Sequence, residues 1–176
     1  INLDSSDFDV DSSYLRVSGD DFFDIDLNIQ KDSPSILKIN SDLYNIELNS
    51  PLDSLSKSKS ISMPTEILIT NLSNPSMEVR NQKVDIHIRD LSKYDGYISI
   101  GSKLPDQYKS FNYESGLNIY INSQFIDENL LISMLPSKQE SMPIKFNKLA
   151  FNIKNFQFFN NNFSDLSGLF DFKNSG

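Results

Sequence analysis

The sequence predicts a mainly β protein arranged as a long antiparallel meander, on three observations. Apolar and polar residues alternate with period two over much of the chain. Phe23, Ile25, Leu27 and Ile29, for example, interleave with Asp24, Asp26 and Asn28, the mark of a strand with one oily and one wet face. The apolar residues are mostly Ile, Leu and Phe, which suit a pleated, half-buried surface. Finally, no strand-like stretch is followed by a long crossover helix, so neighbouring strands are expected to run antiparallel.

The elements follow in order. Tyr14 to Val17 reads as a strand and Ser18-Gly19-Asp20 as a turn. After the strand at Phe23–Ile29 comes Ile36 to Leu55, ILKINSDLYNIELNSPLDSL. It reads as a strand, a polar break at Ser41-Asp42, a second strand and a Pro turn. Ser54 to Ser60 is a polar loop, and Ile61 to Thr70 returns as a strand. Met77–Arg80 and Val84–Arg89 flank Asn81-Gln82-Lys83 as a hairpin. Tyr94–Ile100 is a strand, Gly101–Tyr113 a long loop, and Leu117, Ile119 and Ile121 alternate again. The period then changes. Leu130, Leu131, Met134 and Leu135 fall at helical spacing, with Asp127 as N-cap and Pro136 as terminator, so one short helix is expected over 127–135. Leu149, Phe151 and Ile153 alternate in the next strand, Asn160-Asn-Asn162 is a turn, and Phe163–Phe172 is the last strand. The total is about ten strands of ordinary length.

The length of 176 residues fits one domain, and 38% hydrophobic residues is too apolar for a disordered chain. A net charge of −8 opposes nucleic-acid binding, which needs clustered Lys and Arg. It also opposes electrostatic docking on anionic headgroups. The absence of cysteine excludes disulfides and thiolate metal sites. The chain starts at Ile1, without a basic leader or an apolar run of membrane-spanning length. It is therefore expected to be a single segment, 1–176, of a longer protein, with any signal or anchor outside it.

Chemistry is thinly represented. His87 is the only histidine and shares the polar side of its strand with Asp85 and Arg89, which reads as a surface network and not as a base with its orienter. No G-x-S-x-G nucleophile motif is present. Asp7, Asp9 and Asp11 begin like a calcium loop, but Ser12 replaces its turn Gly and Ser18 its bidentate Glu. Acidic pairs are common by chance here, and no Trp offers a sugar platform. The expectation is no catalytic residue, no metal and no cofactor, hence no enzyme. The strongest signal is the aliphatic and Phe stripes. By pattern alone they fit the closed core of a β-sandwich binding or structural module, such as an adhesin piece. Periodicity does not say what an apolar face touches.

Three stretches bear on that question. Leu37-Lys-Ile-Asn-Ser-Asp-Leu-Tyr-Asn-Ile-Glu-Leu-Asn-Ser-Pro-Leu52 is the first. Gly96-Tyr-Ile-Ser-Ile-Gly101, followed by a loop, Gly116-Leu-Asn-Ile-Tyr-Ile121 and a short helix, is the second. Met142-Pro-Ile-Lys-Phe-Asn-Lys-Leu-Ala-Phe-Asn-Ile153 is the third. In this order, over roughly residues 35–172, they resemble the AsmA-like family, in particular its YhdP branch. Asn45 stands where that family has Gly, Asp53 breaks its Gly-Lys ending, and Leu130 or Leu131 replaces its helix Trp.

The resemblance implies a bridge-like lipid-transfer protein of Gram-negative bacteria. Such a protein resides in the periplasm and is held to the inner membrane by a segment outside this piece. Its sheet would bend strongly into an open, taco-like groove that conducts phospholipids toward the outer membrane. Acyl chains would be the partners, and the sheet edges would invite self-association of an excised piece. The expected lining is Phe23, Ile25, Leu27, Ile29, Leu37, Ile39, Ile46, Leu48, Val84, Ile86, Ile88, Leu117, Ile119, Ile121, Leu149, Phe151 and Ile153.

Overall fold

The computed structural model describes residues 2–3, 11–12, 15–31, 33–134 and 144–172. Asp7, Asp9, Tyr14, Leu135 and Pro136 lie outside them. Strands account for 55% of the chain and helix for 8%, so the mainly β class holds. The strands are β1 (Asn2–Leu3), β2 (Asp11–Ser12), β3 (Leu15–Ser18), β4 (Asp21–Phe22), β5 (Asp24–Asn28), β6 (Ile36–Ser41) and β7 (Glu47–Asn49). They continue as β8 (Thr65–Thr70), β9 (Ser76–Arg80), β10 (Val84–Asp90), β11 (Asp95–Ile100), β12 (Leu117–Asp127), β13 (Phe146–Phe158) and β14 (Asn161–Asp171).

Nine of these form one mixed sheet in the spatial order β14-β13-β12-β11-β10-β9-β8-β6-β5, and it does not close into a barrel. Two small sheets stand apart, β1-β4 and β2-β3-β7. Strands β8 to β11 form the expected antiparallel meander. Its β9–β10 hairpin turns where Asn81 Oδ1 accepts from the amides of Lys83 (2.8 Å) and Val84 (2.7 Å).

The meander breaks in two places. Strand β12 pairs in parallel with β11, and β13 in parallel with β12, which corrects the wholly antiparallel expectation. Parallel neighbours need a crossover, and each of the two contains a short helix. One is a 3-10 helix, Asp106–Asn112, hidden in what reads as a long loop. The other contains α1 (Glu128–Met134), where the Asp127 carboxylate caps the Leu130 amide at 2.8 Å. The second correction concerns Ile36–Leu55. Its two strands do not pair: β6 joins the large sheet, whereas β7 pairs β3 in a small one.

A buried polar knot fixes the first crossover. Asn118 and Asn147 are fully buried on adjacent parallel strands, and Asn147 Nδ2 donates to Asn118 Oδ1 at 2.7 Å. Asn118 Nδ2 donates to the carbonyls of Gly96 (3.1 Å) and Phe111 (3.3 Å), which ties the 3-10 helix to the sheet. Phe111, also fully buried, packs there with Tyr97, Tyr120 and Ala150. Glu114 accepts from Asn147 (2.7 Å) and Lys148 (2.8 Å). Burial opposes ionisation of Glu114, but hydrogen bonds from Lys148, Asn147 and Ser110 together outweigh it and hold the carboxyl below its ordinary range.

The β13–β14 connection is a two-residue turn, because Phe158 pairs with Asn161. Phe159 and Asn160 both have positive φ, 44° and 63°, as a primed hairpin turn requires. The turn therefore sits one residue earlier than Asn160–Asn162. Asn tolerates this conformation; Phe does not.

Two outcomes follow. Phe159→Gly removes the strained, exposed Phe and should raise unfolding stability by about 0.5–1 kcal/mol in urea titration. For Glu114 the lowered folded value means its stabilisation is whole above the ordinary carboxyl value of 4.5 and is lost as pH falls through the folded value. Glu114→Gln should therefore flatten the loss of stability as pH falls below the ordinary value of 4.5, measured by the same titration at each pH.

Candidate functional site: an apolar face crossed by a strap

The register aligns apolar residues across the whole large sheet. Ile25 pairs with Ile39, Ile39 with Ile67, Ile67 with Val79 and Val79 with Ile86. Ile86 then pairs with Ile98, Ile98 with Ile119, Ile119 with Leu149 and Leu149 with Phe170. One unbroken apolar row thus crosses nine strands. A second row runs beside it through Leu27, Leu37, Ile69, Met77 and Ile88 to Gly96, Leu117 and Phe146. A third begins at Val84 and passes through Ile100 and Ile121 to Phe151.

Burial along the first row changes with position. Ile25 is 41% exposed, Ile39, Ile67, Val79, Ile86 and Ile98 are half-buried, and Leu149 is 3% exposed. At the β12–β13 end the face is covered. Ile121, Ile126, Leu149, Phe151, Ile153 and Phe156 pack there with Leu52, and Leu55 and Leu130 lie against them.

The cover is a short strap, residues 50–57, that leaves β7 and crosses the face. Its far end is fixed where Lys57 and Leu48 exchange backbone hydrogen bonds of 2.8 and 2.9 Å. Lys57 is buried, and its ammonium donates to the carbonyls of Ile46 (2.7 Å) and Ser58 (3.1 Å). Burial lowers its pKa, and the nearby Asp21 charge opposes the shift. In mid-strap, the Ser123 hydroxyl donates to Asp53 Oδ1 at 2.6 Å, and Lys83 Nζ donates to the Ser54 carbonyl at 3.2 Å. Close approach is possible because Gly101 lies beneath. A Cβ there would sit 2.9 Å from Ser54 Cβ and 1.9 Å from the Asn122 carbonyl oxygen.

Between strap and sheet is a partly roofed hollow of about 300 Å³. Ile100, Ile119, Ile121 and Leu149 form its floor, Leu52 and Leu55 its roof, with Leu15, Leu130, Phe146, Ser50 and Pro51 at the sides.

The expected lining residues divide accordingly. Ile25, Leu27, Leu37, Ile39, Val84, Ile86, Ile88, Leu117, Ile119, Ile121, Leu149 and Phe151 fall in the three rows. Ile153 lies in the covered core. Phe23 and Ile29 flank β5 outside its paired residues. Ile46 and Leu48 belong to the small-sheet side and are not part of the large sheet. Sequence reading missed Ile67, Ile69, Met77, Val79, Ile98, Ile100, Phe146 and Phe170. Ile67-Leu68-Ile69 is a continuous apolar run that conceals its period; only its register with β6 assigns the faces.

Away from the Phe111 cluster the opposite face is mostly polar. Lys38 pairs with Glu66, Arg80 with Glu78 at 2.5 Å, and the Tyr97 hydroxyl donates to Asp85 at 3.0 Å. Burial, with Asp85 adding to it, raises the Tyr97 phenol, so it stays a donor. His87 Nδ1 lies 3.2 Å from Glu78 and its ring stacks on Tyr97. This is a cross-strand surface network. Among the described residues no group of three or more His, Cys, Asp or Glu is placed to hold a metal ion, and no helix is long and apolar enough to cross a membrane.

Comparison of the chain with protein-family models, with curated proteins and with solved structures finds no match in any of the three.

Gly101→Ala should destabilise the fold by about 1–3 kcal/mol, the cost of a non-glycine residue held at positive φ, and should loosen the strap. Faster hydrogen exchange at the Leu55 and Lys57 amides would report the loosening.

Proposed function

We propose that this chain is a non-enzymatic section of a lipid-conducting surface. Phospholipid acyl chains lie along its apolar face while the headgroups stay in water. In its parent protein the section serves in the periplasm, between the inner and outer membranes of a Gram-negative cell. The single observation that carries this reading is the Ile25-to-Phe170 row: nine apolar side chains in register, left half-exposed from β6 to β11.

Strands about 4.8 Å apart make that row about 38 Å long over its eight steps. A tail that leaves a bilayer loses about 0.8 kcal/mol per exposed CH₂, or roughly 25 kcal/mol for two sixteen-carbon chains. An apolar row removes most of that barrier without bond chemistry. Similar aliphatic side chains at each step favour movement along the row.

A closed sandwich module is the competing reading. It needs a second sheet to cover the first, and the two smaller sheets contain only two and three strands.

Ile39→Asp places a charge on the uncovered part of the row, where water still solvates it. The variant should keep the fold, by circular dichroism, and carry several-fold less co-purified phospholipid by mass spectrometry. Lys38→Gln, on the polar face, should not change the lipid. Equal lipid in wild type and a folded Ile39→Asp protein would end the reading.

A further inference from the structure

We infer that the hollow beneath the strap is a binding site for the end of one hydrocarbon tail, with Asp53 and Ser123 as its latch. The ligand class rests on the lipid reading above. What is added is a place where a tail stops, set apart from the surface along which it moves.

Size selects the ligand. An engineered 150 Å³ cavity lined by aliphatic side chains stays dry and binds benzene; this hollow is about 300 Å³. At about 30 Å³ per non-hydrogen atom, the share of a liquid water molecule, it takes about ten carbons. That is the terminal part of one tail, with no room for two. Chemistry selects it as well. No charged side chain lines the hollow, and Ser50 is its sole polar lining residue. An ionised or hydrogen-bonding ligand would be desolvated there without a partner.

Position links the hollow to the open face. Ile119 and Leu149 lie both in its floor and in the long apolar row. A tail sliding along the row from β10 toward β13 therefore meets the strap and passes beneath it. The roof is a separate piece of chain from the floor. Leu52 and Leu55 come from the strap, whose mid-point is held by two side-chain contacts, Ser123 to Asp53 and Lys83 to the Ser54 carbonyl. Opening the roof breaks these polar contacts and the packing of Leu52 and Leu55 on the floor, but no pairing of the large sheet. Tail release is thus governed by the latch.

The test uses decanoate below its micellar concentration, titrated calorimetrically into the full chain after delipidation. Wild-type protein should bind one equivalent. Leu55→Phe fills the hollow from the roof and Leu130→Phe from the side, and each should weaken binding at least tenfold with the thermal melt retained. Asp53→Ala should leave affinity within a few-fold but accelerate release at least several-fold in stopped-flow displacement. No decanoate binding by wild type, or unchanged binding in both filled variants, overturns the site. An unchanged release rate in Asp53→Ala overturns the latch. The lipid reading fails separately. Protein that binds decanoate yet carries no phospholipid retains the hollow and loses the transport role. Protein that carries phospholipid but ignores decanoate does the reverse.

Discussion

Side chains on a strand alternate between faces, so a slip of one residue anywhere in the large sheet would move an apolar set to the polar side. The long row from Ile25 to Phe170 exists only because eight successive pairings keep the same phase. Both faces depend on this phase. The same register that aligns Ile39 with Ile67 sets Asn40 opposite Glu66, and the one that aligns Val79 with Ile86 sets Glu78 opposite His87. The oily surface and the charged one are two sides of one constraint, and their separation is what gives the sheet a direction to face.

The sheet is unequal along its length. Toward β5 it is a single layer, with residues open to water on both sides. Toward β13 it is covered twice: by the 3-10 helix over Tyr97, Tyr120 and Ala150, and by the strap and Leu130 over Ile121, Leu149 and Phe151. The parallel joints sit in this thick part. Their crossovers supply the 3-10 helix and α1, and the buried Asn118–Asn147 pair ties one of them down. A buried polar pair contributes little net stability but makes misplacement expensive, all the more because Asn147 Oδ1 is buried without a hydrogen-bond partner. It specifies which strand lies beside which.

Much of this was legible in the sequence. Strands β5, β6, β9, β10, β12 and β13 follow alternation, and α1 follows a change of period and an Asp cap. The openness of the sheet was also an expectation, and it holds. What could not be read was non-local. Nothing within Leu117–Ile121 says that its neighbours run the same way, because parallel and antiparallel strands can share one alternating pattern. The crossover at 101–116 is polar and aromatic, not an amphipathic stripe, so it reads as loop. Likewise Ile46 and Leu48 alternate as well as Leu37 and Ile39 do. Only the chain's departure after Ser41 to pair β3 separates them. The strap was invisible for the same reason: Pro51-Leu-Asp-Ser-Leu55 is a turn by composition, and its contact with Ser123 spans the fold.

The two parallel joints also order the events of folding. Hairpins such as β9–β10 and β13–β14 bring together residues close in the chain and can zip early. Strand β12 must wait until its crossovers have closed much longer loops, since Ile119 pairs with Ile98 on one side and Leu149 on the other. During that wait the β13–β14 hairpin, with Phe151, Phe156, Phe158 and Phe163 along it, stands without its neighbour. Strand β13, largely buried in the finished sheet, is therefore uncovered on the way, and its late docking makes the β12–β13 joint the point at which misassembly begins.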